Sequence, residues 1–374
     1  MTQKIRVAVL YGGKSGEHEV SLQSAASVIR YLDRGRFDVI PVSIDKTGVW
    51  QLNDLKTLDQ TAGKALPILR DAPEVRLASQ PDGRGALVPI GGNDTAAIGD
   101  IDVFFPVMHG PLCEDGATQG LLDLADVAYV GSGVLASAVS MDKDVAKRLA
   151  AFAGLPIAPY VALTRRDYER DAAGAIKAAR EKLTLPVFVK PCNMGSSVGV
   201  HKVKSWDALK AALDDAFRYD LKILIEQGID AREVEVAVLE DDPLFVSVAS
   251  EINPDPRHEF YSYEAKYLDK DGASVDLPAR IDDAAMARVR ALAAQAFTVL
   301  ECNGLARVDF FLDRKSGEFY FNEINTLPGF TSISMYPKMM EASGVSYGEL
   351  LTRLVNLALA RHRQRHSLVR DYAS

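Results

Sequence analysis

Two apolar segments near the end of the chain, residues 305–312 and 318–325, are separated only by Asp313-Arg314-Lys315-Ser316-Gly317. So short a connection favours an antiparallel hairpin, because parallel strands need a long crossover. With the turn centred near Ser316, Asp309 lies across from Glu323. Side chains alternate along a strand, so Arg307 and Asp309 share a face, as do Glu323 and Asn325. That face gathers two carboxylates, an amide oxygen and a guanidinium, which cannot turn inward without partners. Hard oxygen donors at close range suit magnesium, which commonly bridges carboxylates and substrate phosphates. Arg307 cannot ligate a metal, but it can hold an anionic oxygen beside one. The alternative is a structural salt-bridge cluster of Arg307 with Asp309 and Glu323.

The rest of the chain must build a scaffold for this hairpin. At 374 residues it is long enough for two or three domains around a cleft. Ile5-Arg6-Val7-Ala8-Val9-Leu10-Tyr11 is an apolar run halted by Gly12-Gly13, as a buried parallel strand would be. A helix over 20–31 and a strand over 37–42 complete a βαβ unit. Residues 51–100 read as an elaborated, partly irregular insertion, 101–108 as a further buried strand, and 128–130 as the last strand of this part. A helix over 142–153 follows, then strands at 161–163, 186–190 and 199–203, with a helix near 172–181. The run 223–226 closes the middle region. Strands at 234–239 and 244–249, a polar loop, a helix over 282–300, the hairpin and a helix over 346–360 complete the pattern. Residues 361–374 read as a loose polar tail. The expected fold is α/β, shading to α+β in the C-terminal half, in three parts: 1–139, 140–226 and 227–374.

A net charge of −8 argues against a nucleic-acid partner, which calls for a basic field. No apolar run reaches the roughly 18 residues that span a membrane. The N-terminus enters a strand directly, leaving no room for a signal peptide. Cys113, Cys192 and Cys302 are too few and too scattered for a disulfide framework or a metal finger. Three reduced thiols near the core, in a cytoplasmic protein, is the expectation.

Two nucleotide-like motifs fail. Gly13-Lys14-Ser15 resembles the end of a phosphate loop, but the glycine needed five positions earlier is Ala8, inside the first strand. Gly131-Ser132-Gly133 follows a strand, yet the region some 20 residues on is helical and offers no strand-ending acid for a dinucleotide ribose. A tight interdomain turn suits those glycines better.

Other segments fit a phosphate-transfer site. In Lys190-Pro191-Cys192-Asn193-Met194-Gly195-Ser196-Ser197-Val198-Gly199, a strand delivers a lysine to a loop whose small residues let backbone N–H groups approach phosphate. An ordinary hairpin turn is the alternative. Glu259-Phe260-Tyr261-Ser262-Tyr263-Glu264-Ala265-Lys266-Tyr267 suits a lid that excludes water, or else a solvated loop. Glu17-His18-Glu19 opens a helix, where carboxylates can also serve merely as caps. His109-Gly110, just past a buried strand, lies where open α/β sheets bind ligands.

Together these segments resemble the D-alanine–D-alanine ligase family of the ATP-grasp superfamily, over nearly the whole chain from Val7 to about Leu357. The motifs, in the family's order, are Gly12-Gly13 with Glu17-His18-Glu19-Val20-Ser21, His109-Gly110 with Glu114-Asp115-Gly116, Met141-Asp142-Lys143, and Lys190-Pro191 with Gly195-Ser196-Ser197-Val198-Gly199. Tyr263-Glu264-Ala265-Lys266-Tyr267, Arg307-Val308-Asp309 and the run Asn322-Glu323-Ile324-Asn325-Thr326-Leu327-Pro328-Gly329-Phe330-Thr331 follow. Cys113 and Cys192 depart from the usual motif residues.

The resemblance implies an ATP-grasp fold after an N-terminal parallel-sheet domain, and ATP-dependent joining of two D-alanines through an acyl phosphate for peptidoglycan synthesis. It assigns Lys143, Lys190, Ser197 and Lys266 to ATP phosphates, Glu226, Gln227 and Ile229 to the adenine hinge, and Glu233 to the ribose. It assigns Asp309, Glu323 and Asn325 to two Mg2+ or Mn2+ ions and leaves a monovalent cation open. Glu17, with His109 nearby, would bind the first D-alanine. Arg307 and the Gly329 N–H would form an oxyanion site, and Ser334 with Ser332 would hold the second substrate. Ser196 and Tyr267 would link loop and lid to Glu17, and a tyrosine at 267 favours an amine acceptor over D-lactate. A homodimer is implied as well. Three other readings compete: an ATP-grasp ligase with another acceptor, a nicotinamide oxidoreductase, and a non-catalytic ATP-binding regulator.

Overall fold

The computed structural model describes residues 3–56, 66, 72–80, 84–90, 99–259, 269 and 272–369. In the N-terminal part, β1 (Ile5–Gly12), helix α1 (His18–Tyr31) and β2 (Phe37–Ile44) form the expected parallel βαβ unit, with Val7 opposite Val39. The short β3 (Trp50–Leu52) runs antiparallel to β2. In the 51–100 region β4 (Val75–Ser79), β5 (Gly85–Pro89) and β6 (Asp100–Ile101) make a small antiparallel sheet of their own. β7 (Val103–Pro106) pairs with the other side of β1, giving the order β3-β2-β1-β7. Covered on both faces, Val7 to Tyr11 are wholly buried, which is why β1 reads as an unbroken apolar run. The expected strand at 128–130 contributes only a single bridge, Phe104 to Tyr129.

Helices α2 (Ala117–Leu124), α3 (Val134–Met141) and α4 (Lys143–Phe152) follow. Asp142 caps α4 by accepting from the N–H groups of Asp144 and Val145. The middle sheet, in the order β10-β9-β11-β8, is antiparallel throughout. Its strands are β8 (Tyr160–Thr164), β9 (Val187–Pro191), β10 (His201–Val203) and β11 (Lys222–Gln227). Helices α5 (Arg165–Arg170), α6 (Ala172–Lys182) and α7 (Leu209–Ala216) belong to the same region.

The C-terminal sheet is centred on β12 (Ala231–Leu239). It is flanked by β13 (Phe245–Val246) and β14 (Ser250–Pro254), then β15 (Ala273–Asp276), and on the other side by β16 (Leu305–Asp313) and β17 (Phe319–Asn325). The strand expected over 244–249 is thus two residues long, and β14 carries the main pairing instead. Helices α3, α4 and α8 (Asp283–Val299) cover one face of this sheet, burying Val234, Val236, Val308 and Phe310 among them.

The last helices, α9 (Met335–Ala342) and α10 (Tyr347–His366), return to the N-terminal sheet, where Leu350, Leu354 and Val355 pack in one core with Val7, Val9 and Val28. The expected loose tail from 361 is therefore wrong in its first part: α10 continues to His366. Polarity misled here, because the polar side chains are anchors. Arg361 donates to the Gly131 and Tyr129 carbonyls, and Arg365 pairs with Asp123 at 2.5 Å. Gly131 (φ 98°) packs against the Leu327 side chain and the Gly304 backbone. All three cysteines are free and buried. Among the described residues no helix is long and apolar enough to cross a membrane.

Candidate active site

The hairpin has the expected register: Asp309 faces Glu323 and Arg307 faces Asn325. Simple alternation does not produce it. Phe319 and Phe321 both face the apolar core, so strict period two would send Glu323 and Asn325 there too. A register shift pairs Asp309 with Glu323 but Phe310 with Phe321, leaving Asn322 as an extra residue on β17. This bulge inverts the parity, so Ile324 enters the core and Glu323 turns to the cleft. β16 needs no such device, because Val308 and Phe310 face the core while Arg307, Asp309 and Phe311 face the cleft.

That cleft, of about 620 Å3, lies between the middle and C-terminal sheets and is lined by Lys143, Lys190, Ser196, Ser197, Arg307, Asp309 and Glu323. Glu226, Gln227, Ile229 and Glu233 line it as well. Arg307 holds both oxygens of Asp309 at 2.7 Å and stands 3.4 Å from Glu235. Burial disfavours its charge, but Asp309 and Glu235 outweigh this and raise its pKa well above the ordinary value. Asn325 donates to Asp309 at 3.1 Å through its nitrogen, which leaves its oxygen as a donor atom for a cation. Lys143 pairs with Glu323 at 3.2 Å and donates to the Met194 carbonyl at 2.8 Å. The ion pairs include the salt-bridge alternative, but one wall also carries two carboxylates and an amide, a hard-oxygen set that fits Mg2+. Lys143 and Lys190, which reach the cleft from other elements, fit a polyphosphate.

Behind the cleft Glu226 is held between two ammonium groups, 2.5 Å from Lys190 and 2.6 Å from Lys147. Burial favours its neutral form, yet the two lysines prevail and lower its pKa. Lys147 is fully buried and also donates to the Phe321 carbonyl at 3.0 Å. The sequence reading missed it, although its spacing of one turn from Lys143 puts both on one face of α4. Glu235 was missed too, while the alternation Glu233-Val234-Glu235-Val236 displays it. Gln227 spends its side chain on Thr184, accepting from its N–H at 2.7 Å and donating to its carbonyl at 2.6 Å.

The glycine-rich loop joins this cleft to the N-terminal domain. Ser196 (φ 54°) and Ser197 (φ 59°) are both left-handed, a conformation costing roughly 1–2 kcal/mol for each non-glycine residue. That geometry turns the Ser196 hydroxyl to donate to Glu17 Oε1. Glu17 makes no side-chain bond to the helix it precedes, so the capping alternative is not realised. Its Oε2 would stand 2.7 Å from a Cβ on Gly110 and 3.1 Å from one on Gly195, so only glycines admit the carboxylate there.

His109 is buried and fully engaged: Nδ1 meets the Leu327 carbonyl at 3.1 Å, Nε2 the Ser24 hydroxyl at 3.0 Å, and Glu114 lies 3.5 Å away. It thereby ties the N-terminal domain to the 326–331 loop. Just beyond that loop Ser334 accepts from the Thr331 N–H at 3.0 Å and crowds Gly329, where a Cβ would stand 2.8 Å from its hydroxyl. Ser332 is exposed. Lys266 and Tyr267 lie outside the described residues, as does the rest of the lid motif beyond Glu259. Burial raises the Cys113 and Cys192 thiols to about 12, which leaves no thiolate nucleophile.

The family model of the D-ala D-ala ligase N-terminus matches residues 6–132, and that of the D-ala D-ala ligase C-terminus matches 149–356. The chain is 75% identical to a D-alanine--D-alanine ligase A from Bradyrhizobium diazoefficiens over all of both chains. It is 50% identical to that of Chromobacterium violaceum, over 98% of this chain and 99% of that one. Among solved structures, the D-alanine-D-alanine ligase from Coxiella burnetii superposes with a TM-score of 0.82 at 32% identity, covering 99% of this chain and 98% of that one. The VanG D-Ala:D-Ser ligase from Enterococcus faecalis also gives 0.82, at 36% identity over 95% and 100%, so the fold alone does not fix the acceptor. On these matches, the chain belongs to the D-alanine–D-alanine ligase family, whose members are ATP-dependent ligases.

Proposed function

We propose that this chain joins two D-alanine molecules into D-alanyl-D-alanine for peptidoglycan synthesis, with ATP converted to ADP and phosphate. The observation that carries the reading is the Ser196–Glu17 hydrogen bond, which brings the phosphate loop against a carboxylate of the N-terminal domain. ATP occupies the cleft, its phosphates met by Lys143, Lys190, Ser197 and Lys266. Its adenine lies against Glu226, Gln227 and Ile229, and its ribose against Glu233. Asp309, Glu323 and Asn325 would hold two Mg2+ or Mn2+ ions, which would offset charge on the phosphates.

Glu17 takes the ammonium of the first D-alanine, with His109 fixing the wall behind it. The first carboxylate attacks the γ-phosphorus, the bond to ADP breaks, and D-alanyl phosphate forms. Positioning and electrostatics supply most of the acceleration in such transfers. The amine of the second D-alanine, placed by Ser332 and Ser334, attacks the acyl carbon. Arg307 and the Gly329 N–H stabilise the oxyanion, phosphate leaves, and the amine gives up a proton. Tyr267 and the lid exclude water, which would hydrolyse the acyl phosphate.

The division into an N-terminal substrate part (1–139), a central part with the phosphate loop (140–226) and a C-terminal part with the metal site (227–374) belongs to this proposal. So does a homodimer. Supporting it, several large exposed apolar side chains, Leu121, Leu124, Leu135, Leu149 and Phe152, lie on α2, α3 and α4, three successive helices that pack on one another.

Phosphate release on mixing protein, ATP and Mg2+ with D-alanine, L-alanine or D-lactate tests the reading. Release is expected with D-alanine alone, and equal release with D-lactate or L-alanine would overturn it.

A further inference from the structure

We propose that Asp126, His362 and His366 form a binding site for a divalent transition metal of the zinc class, apart from the nucleotide cleft. His362 and His366 are one turn apart on α10, the spacing at which two imidazoles on one helix face share an ion. Their rings are 4.6 Å apart. Both turn Nε2 toward one carboxylate: His366 is 3.0 Å from Asp126 Oδ2, and His362 is 3.8 Å from Oδ1. The three donor atoms lie within 4.8 Å of one another. An ion with Zn–N and Zn–O bonds of about 2.0–2.2 Å reaches all three after small side-chain rotations.

Asp126 sits in a left-handed turn (φ 54°) just past α2, with its carbonyl receiving His362 Nε2 at 3.0 Å. Metal binding exchanges that hydrogen bond for a coordinate bond on the same nitrogen. Of the neighbouring cations, Arg365 is paired with Asp123 and Arg361 donates to the Gly131 and Tyr129 carbonyls. Two imidazoles and one carboxylate favour Zn2+, Ni2+ or Cu2+ over Mg2+, which prefers oxygen alone. Side-chain exposures of 17% for His362, 36% for His366 and 33% for Asp126 leave the site open to solvent, with room for water as a fourth ligand. The ion would staple the end of α10 to the loop that leads to Gly131, the glycine packed against Leu327. Its consequence is a stiffer joint between the first and last parts of the chain, with no part in the chemistry.

The test uses full-length protein stripped with a chelator and then saturated with Mg2+, so that the oxygen site is filled. Zn2+ is titrated by calorimetry and Co2+ by visible absorption. One equivalent should bind with nitrogen-ligand bands and raise Tm. His366→Ala, at an exposed position, should keep fold and kcat but weaken that binding at least about tenfold and abolish the Tm rise. Asp126→Asn should act in the same direction. Failure of Zn2+ to bind, or unchanged affinity in His366→Ala, would overturn the assignment.

Discussion

Lys147 and Glu226 form an ion pair at 2.6 Å in the interior, and the same carboxylate holds Lys190 at 2.5 Å on the cleft side. Lys190 therefore approaches the cleft with its position set by a carboxylate that a second lysine has already half-neutralised. Replacing Lys147 with Met leaves Glu226 leaning on Lys190 alone. Breaking a buried pair costs about 3–5 kcal/mol, and the remaining partner keeps this change near the lower end. Urea unfolding should show that loss. Steady-state kinetics should show KM for ATP rising more than kcat falls, because Lys190 becomes the sole counter-ion of Glu226. An unchanged KM for ATP would separate Lys147 from the site.

Arg307 bridges Asp309 and Glu235. Arg307→Ala should lower kcat by roughly 10² or more, the scale of one lost oxyanion donor. Arg307→Lys should rescue little, since a point charge cannot reproduce the two parallel bonds to Asp309. A near-normal kcat in the alanine variant would exclude the oxyanion role.

The sequence disclosed the partners of this site better than the devices that orient them. Hairpin length brought Asp309 to within one residue of Glu323, because connection length limits register, and the bulge at Asn322 supplies the last step. Local alternation could not show that Asn322 is bulged, since the reason is tertiary: Phe319 and Phe321 are claimed by the core beneath α3, α4 and α8. Lys147 was hidden for a related reason. A lysine on a helix reads as solvated until the carboxylate that buries it, Glu226, is brought from another sheet. The polar end of α10 read as a tail because its anchors, Asp123, Tyr129 and Gly131, are distant in sequence.

The bulge makes a direct prediction. Deleting Asn322 should remove the bulge and leave a regular strand in which Glu323 follows Phe321 directly, so Glu323 and Asn325 keep the cleft face and Ile324 the core. The deletion variant should therefore keep Mg2+-dependent phosphate release, since Asp309 still faces Glu323. Asn322→Ala keeps the extra residue and should retain most activity, losing only a 3.5 Å contact to Lys190. Loss of release in the deletion variant beside an active Asn322→Ala would show that the extra residue does more than set the parity of β17.

The joint at His109 should make stability depend on pH. Burial pushes its pKa down, but Glu114 and Glu17 outweigh burial and hold it above the ordinary value. A raised folded-state pKa means stabilisation that is complete below the unfolded value of about 6.5 and is lost as pH rises through the folded one. Tm should therefore fall between pH 6 and 8 through this group. His109→Asn removes the titration and should flatten the slope across that window. Glu114→Gln removes the main opposing charge, so burial should regain control and the slope from His109 should shrink or reverse. Parallel melting curves for the three proteins at pH 6, 7 and 8 check this, and an unaltered slope in His109→Asn would place the titrating group elsewhere.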